Sequence, residues 1–520
     1  MPKPPRVRAA ALAAAALLPA LVTGCAGGPA AQASGPAQGG LSGQKLNWKD
    51  CPAPSESEGG GSAPSPLANN DRWQCATMKA PLDWNAPAGD TIDIALIRVK
   101  ASGVPSQRIG SLVFNFGGPG GSGVAELPAF APDYATLRIR YDLVSFDPRG
   151  VGRSEGVRCK DDQQLDAFFQ QDAMPRTAAA QHTFLNSTKQ FNKACQQHSG
   201  RMLPYLRTTD AARDMDLMRK LLGDRRLHYF GVSYGTELGG VYAHLFPKNI
   251  GRAVLDAAVD PTLTPEQASL AQAGGFQMAL GNYARDCTAK AVGCPVGSTP
   301  KDVENRIAGL LNDLDRKPIS GVFPRRLTRT AALNGVLEAL NSKNSWPELT
   351  EALQRAYAGD GRSLMLLSDS MNERDENGQY SNATAAEVAI DCADDKPRYT
   401  AADVKAKLPR FRAASPLFGE LLAWNLISCA DWPVRGAVYH PDVHAPGAGP
   451  ILVIGNTGDP AAPYEGAQRM VNALGRGVGV KLTYKGQGHG AYYSKNKCVL
   501  DTVDRYLLDG KVPASGTVCS

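Results

Sequence analysis

Short apolar runs alternate along the chain with stretches of helical periodicity. Residues 91–99 alternate in part at period two and predict an early strand. Residues 111–116 are apolar almost throughout, the pattern of a strand buried on both faces. Further runs at 142–146, 227–230, 252–255, 450–454 and 480–484 predict more strands. Between them, residues 210–222 place Met215, Leu217, Met218, Leu221 and Leu222 near helical spacing, and 236–246, 464–474 and 501–508 also read as helices. Alternation of this kind predicts a mostly parallel sheet flanked by helices. From about residue 261 to 444 the pattern changes. Helical runs dominate at 265–286, 300–314, 330–341, 347–367 and 402–408. Because strand pattern returns at 450, the middle reads as a large, mainly helical lid inserted into the sheet domain. A separate domain with its own task is the alternative.

The chain has 520 residues, more than one compact core usually holds, which fits a core plus an insertion. Lys3, Arg6 and Arg8 precede an apolar stretch at 9–22 that ends in Thr23-Gly24-Cys25. That is a signal-peptide pattern, too short for a confident membrane span. Leu21-Val22-Thr23-Gly24-Cys25 also resembles a bacterial lipobox, which would make Cys25 a lipidation site; an ordinary cleavage site beside a chance cysteine is the alternative. The expected division is 1–25 signal peptide with a lipobox-like end, 26–45 flexible tether, 46–260 first part of the core, 261–445 lid, and 446–520 second part of the core. Residues 55–70 form a second low-complexity stretch, read as a loop.

Apart from Cys25 the chain holds ten of its eleven cysteines, an even number in a chain marked for export, so disulfides are expected. Proximity in sequence pairs Cys51 with Cys75, Cys159 with Cys195, Cys287 with Cys294, Cys392 with Cys429, and Cys498 with Cys519, although connectivity does not follow from sequence. No CxxC spacing points to zinc, and no metal or organic cofactor is implied. The net charge of +6 is small for this length, and no basic run tracks a helix or interleaves with aromatics. Nucleic acid is therefore excluded as a partner, and the membrane is reached only through the N-terminal lipid anchor, if one is attached.

Chemistry concentrates at four turns. Gly231-Val232-Ser233-Tyr234-Gly235 lies between a predicted strand and a predicted helix. A serine flanked by glycines at such a junction is the nucleophile elbow of α/β-hydrolases, with the glycines avoiding collision between turn, strand and helix. The loop Gly117-Gly118-Pro119-Gly120-Gly121-Ser122-Gly123 follows the mostly apolar run 111–116. Its backbone can face a ligand unobstructed, and no Gly-Lys-Ser/Thr follows that would make it a phosphate loop. In this fold it supplies the second oxyanion donor, so Gly118 and Tyr234 are the expected oxyanion-hole residues. Gly455-Asn456-Thr457-Gly458-Asp459-Pro460 and Gly486-Gln487-Gly488-His489-Gly490 follow the two late strands.

A serine hydroxyl needs an adjacent base, and the base needs a carboxylate to fix its tautomer. The order Ser233, Asp459, His489 is the order of this fold. Of the seven histidines only His489 sits in a glycine loop after a late strand. His228 and His244 lie within the elbow strand and helix, His182 and His198 in a polar helical stretch, and His440 and His444 in a Pro-rich segment without further ligands. Asp256 and Asp260, after the strand that follows the elbow, compete with Asp459 for the acid's place.

Taken together, Gly117-Gly118-Pro119-Gly120, Asp147-Pro148-Arg149-Gly150-Val151-Gly152-Arg153-Ser154, the elbow with Thr236, Ala389-Ile390-Asp391-Cys392-Ala393-Asp394, Cys429-Ala430-Asp431-Trp432-Pro433 and the Asp459 and His489 loops resemble the secreted tripeptidyl aminopeptidase family of α/β-hydrolases, relatives of the proline iminopeptidases. The pieces span most of the chain in family order. The resemblance implies a serine exopeptidase that releases short peptides, commonly tripeptides, from a free amino end. Such an enzyme needs an anion for the substrate ammonium, and Asp394 or Glu387 in the lid is the candidate by position. One departure is Ala462, where many relatives carry Thr; it bears on specificity. Two other readings stand beside this one: an esterase or amidase of the same fold acting on a small molecule, and a non-catalytic binding lipoprotein on a hydrolase scaffold.

Overall fold

The computed structural model describes residues 40–55, 63–67 and 70–520. The signal-like stretch, Cys25 and residues 26–39 of the expected tether lie outside these. Residues 41–45 are already part of the folded body. Leu41–Gly43 is a short helical turn, and the Gln44 side chain both accepts from Lys79 N and donates to Lys79 O, so it caps a sheet strand as a backbone would.

Twelve strands are formed among the described residues: β1 Lys49–Asp50, β2 Gln74–Pro81, β3 Thr91–Val99, β4 Gly110–Asn115, β5 Tyr141–Phe146, β6 Leu227–Val232, β7 Ile250–Asp256, β8 Ile319–Ser320, β9 Arg326–Leu327, β10 Ile451–Gly458, β11 Gly479–Gln487 and β12 Thr517–Cys519. Strands β8 and β9 form a small hairpin, and the other ten make one sheet in the order β1-β2-β3-β5-β4-β6-β7-β10-β11-β12. β1, β2 and β3 pair antiparallel, and β3 with β5; from β5 through β12 every neighbour is parallel. This is the α/β-hydrolase sheet.

Every residue of β4 and β5 is buried, because helices cover both faces. Successive residues serve opposite faces. Val113, Tyr229, Leu255 and Val453 pack into one core, while Leu112, Phe114, Phe230, Val254 and Ile454 pack into the other. A third core, around Phe276, Leu311, Leu337, Trp346, Leu353, Phe411 and Trp424, belongs to the mainly helical insertion. That insertion therefore carries its own apolar interior and does not drape over the sheet as a loose flap.

Five disulfides form, joining the pairs that proximity in sequence named. One expected element divides. Residues 347–367 are two helices, Trp346–Tyr357 and Arg362–Met371. Gly359 adopts φ +90°, and a Cβ on Gly361 would stand 2.6 Å from Ser320 O, so the chain turns there against the β8 strand. The helix Ala383–Asp394 was not among the expected elements, yet it lies beside the site described next.

Candidate active site

The loops leaving β4, β6, β10 and β11 meet at the C-terminal edge of the parallel strands, where open α/β sheets place their sites. Ser233 follows β6 at φ +57°, ψ −125°, a strained conformation for a residue with a side chain. The turn is held from several sides. Ser233 N donates to Asp256 O at 3.1 Å, Thr236 Oγ1 to Ser233 O at 2.7 Å, and Tyr229 Oη to Gly235 O at 2.7 Å. The elbow glycines are explained by close approach: a Cβ on Gly231 would stand 2.3 Å from Gly235 O, and one on Gly235 2.5 Å from Asn115 O. The helix Tyr234–Leu245 starts at once after Ser233.

The glycine loop after β4 lies against this turn. A Cβ on Gly117 would be 2.9 Å from Ser233 Cβ. Asn115 Oδ1 accepts from Gly117 N at 3.2 Å. Farther along, Asp147 holds the loop's exit through Ser122 Oγ (2.7 Å), Val124 N (3.0 Å) and Arg153 N (2.8 Å). Arg149 of the same turn forks onto buried Asp214 with two 2.7 Å bonds and reaches the carbonyls of Pro81, Leu82 and Tyr205. The Asp-Pro-Arg-Gly segment is thus a brace for the loop. Among the described residues neither Gly118 N nor Tyr234 N has a hydrogen-bond partner, and both residues line the cavity at Ser233.

Asp459, wholly buried at the end of β10, accepts from His489 Nδ1 at 2.8 Å. Its Oδ1 also accepts from Ala461 N (3.0 Å) and Ala462 N (2.9 Å), and its Oδ2 from Gly490 N (3.3 Å). Burial works against an imidazolium at His489, but the Asp459 carboxylate outweighs it and holds the histidine above its ordinary pKa. The two competitors for the acid's place are occupied elsewhere. Asp256 accepts from Ala491 N and Tyr492 N at 2.9 Å and from Ala257 N at 2.8 Å, so it pins the loop that follows His489. Asp260 pairs with Arg469 at 3.1 Å. The insertion also touches the histidine loop: His489 N donates to Asn341 O at 2.7 Å, and Asn282 Nδ2 to Gln487 Oε1 at 2.7 Å. The Ser233 hydroxyl has no hydrogen-bond partner among the described residues, so the structure joins His489 to Asp459 but shows no bond from His489 to Ser233.

Ser233 lines a cavity of about 790 Å³ whose lining includes a cluster of carboxylates. Both sequence-named candidates, Glu387 and Asp394, line it, joined by Asp391, Asp395 and Glu237. The first three stand at i, i+4 and i+7 on Ala383–Asp394, one face of a helix. Glu237 lies one turn along the elbow helix from Ser233. That helical spacing was the available signal for Asp391 and Glu237, which the sequence reading left out. Asp394 accepts from Thr208 N (3.1 Å) and Thr208 Oγ1 (2.7 Å), and the same hydroxyl lies 2.5 Å from Tyr234 Oη. Burial, with the neighbouring Asp394 and Asp395, lifts Glu237 to about 8. Burial lifts Asp394 to about 7 against the pull of its Thr208 hydrogen bonds. Desolvation and neighbouring carboxylates raise Glu387 and Asp391 as well, and desolvation raises Asp395 against the pull of Arg398.

A family model described as TAP-like protein, of the α/β-hydrolase kind, matches residues 415–519. Serine protease Hip1 of Mycobacterium tuberculosis is 37% identical over 458 residues, covering 86% of this chain and 87% of its own. Carboxylesterase B of the same organism is 37% identical over 462 residues, with 86% of each chain covered. Tripeptidyl aminopeptidase of Streptomyces lividans is 30% identical over 482 residues, covering 91% of this chain and 86% of its own.

Proposed function

The chain belongs to the TAP-like serine peptidases of the α/β-hydrolase fold, and from that premise we propose that it is an exported exopeptidase that removes short peptides, tripeptides among them, from free amino ends. The observation that carries this reading is the cluster of carboxylates that shares one cavity with Ser233. An ester or neutral amide gains nothing from such a wall, whereas a substrate ammonium gains charge-assisted hydrogen bonds there. The names of the relatives divide between peptidase and carboxylesterase, and the wall favours the first.

In this mechanism Ser233 Oγ attacks the scissile carbonyl carbon while His489 takes the hydroxyl proton. Asp459 keeps the Nδ1–H tautomer, so that Nε2 is the base, and stabilises the imidazolium. Gly118 N and Tyr234 N, both without protein partners, receive the oxyanion. His489 then protonates the leaving amine, the C–N bond breaks, and the released peptide departs with its new amino end. Water, deprotonated by His489, attacks the acyl-enzyme and returns Ser233 to its starting form. Glu387, Asp391, Asp394 and Glu237 hold the substrate ammonium, and the distance from that wall to Ser233 sets the length released. Five disulfides and the signal-like start support export, with Cys25 as the lipid attachment point.

Two measurements test the proposal. Mass spectrometry of products from a mixed peptide library is expected to show fragments of one short length, all from amino ends; internal cleavage would sink it. Labelling by a fluorophosphonate is expected in the native chain and absent in Ser233→Ala; no labelling would leave a binding scaffold.

A further inference from the structure

At the opposite, N-terminal edge of the same strands lies a second cavity, of about 460 Å³. Its lining comes from the segments entering β4, β6, β7 and β10 and from the end of the last helix, Lys497–Asp509. Its ionisable groups are Arg225, Arg226, Arg252, His228 and one carboxylate, Asp224. Asp224 is engaged already, accepting from Ser111 N at 3.1 Å. Arg225 and Arg226, exposed in the turn before β6, have no ion-pair partner among the described residues. Arg252 is fixed in place: its Nη1 donates to Leu507 O at 2.5 Å and Leu508 O at 2.9 Å. Its Nη2 borders Gly510, where a Cβ would stand 3.1 Å away. His228 Nδ1 accepts from Arg252 N at 3.1 Å, which leaves the ring's proton on Nε2.

We propose that this cavity binds a phosphate group. Three arginines and a histidine line one concavity whose lone carboxylate is satisfied by backbone, and planar guanidinium forks match the oxygen spacing of phosphate. The field of these cations also shows in His228: burial, then Arg252 and Arg226, push its pKa down to about 4, so it offers a neutral donor at every ordinary pH. The volume exceeds what a bare phosphate needs, so a phosphate ester fits. Tyr506, the one aromatic ring of the lining besides His228, is buried and spends its hydroxyl on Pro450 O, so no stacking platform for a base is presented. The ligand is then a phosphate ester without a nucleobase, either a free small molecule or a phospholipid headgroup.

The test uses the full chain. Inorganic phosphate is titrated while the phosphorus line width is followed, and co-sedimentation is measured with phosphatidylglycerol vesicles in excess over neutral phosphatidylcholine vesicles. The double variant Arg225→Ala/Arg226→Ala is expected to weaken binding about tenfold or more, with the thermal midpoint and peptide hydrolysis unchanged. Arg225→Lys/Arg226→Lys is expected to keep part of it. Saturable phosphate binding lost in the alanine variant supports a free ester as ligand. Vesicle binding alone, lost in the same variant, supports a headgroup. No binding of either probe, or binding that survives the alanine variant, overturns the proposal.

Discussion

The two edges of one sheet present opposite chemistry. Where the parallel strands end, Ser233 faces Glu237, Glu387, Asp391, Asp394 and Asp395; where they begin, Arg225, Arg226 and Arg252 surround a cavity with a single carboxylate. The sheet separates the two by its own length, so neither set neutralises the other, and screening by salt isolates them further. The acidic edge also holds the strained turn, the glycine loop and the pair of buried Asp459 with half-buried His489. The basic edge holds none of these. Polarity of this kind teaches that charge is assigned by edge: one end gathers carboxylates beside Ser233, the other gathers arginines.

The comparison breaks most sharply at the reacting serine. Ser233→Ala is expected to lower kcat/KM on a tripeptide anilide by about 10⁴-fold or more, while phosphate binding at the other edge stays unchanged. Asp459→Asn is expected to cost about 10⁴-fold in kcat, through the wrong histidine tautomer. The same change moves the acid limb of the pH profile downward, because His489 loses the carboxylate that holds its pKa up. A retained acid limb in Asp459→Asn would mean that another group sets it.

Smaller effects sharpen the contrast. Glu237 at about 8 and Asp394 at about 7 take up protons as pH falls through that range, and a protonated carboxyl no longer pairs with an ammonium. The KM for a free-amine substrate is therefore expected to rise as pH falls from about 8 to about 6. Stability runs the other way. Carboxylates whose folded pKa is raised contribute fully below their unfolded values and lose that contribution as pH rises through the folded ones. The thermal midpoint is expected to drop between about pH 5 and about pH 8, and Asp391→Asn to flatten that slope. A midpoint independent of pH would contradict the crowding of the wall.

The sheet was legible because its central strands are apolar on both faces, and 111–116 and 142–146 could be little else. The candidate serine, acid and histidine could be named because each stands in a turn after a strand, where glycines mark close approach. The amine wall was only half legible. Ala383–Asp394 is rich in alanine and makes a short helix of modest amphipathicity, so its periodicity did not stand out, and Asp391, quoted only within a motif, was given no role although it lies four residues from Glu387. The break in 347–367 hid for a related reason: two glycines within a periodic run read as tolerated interruptions until the β8 contact is seen. The basic cavity was invisible in sequence. Arg225, Arg226 and Arg252 are brought together by the adjacency of β6 and β7, and no run of cations announces them.

The most direct measurement compares kcat/KM for one tripeptide anilide with its amine free and with its amine acetylated, in the native chain and in Asp391→Asn/Asp394→Asn. A preference of about 10- to 100-fold for the free amine, collapsing in the double variant while acetylated turnover persists, is predicted from the loss of charge-assisted contacts. Equal turnover of the two substrates by the native chain would contradict an acidic wall that reads the amino end.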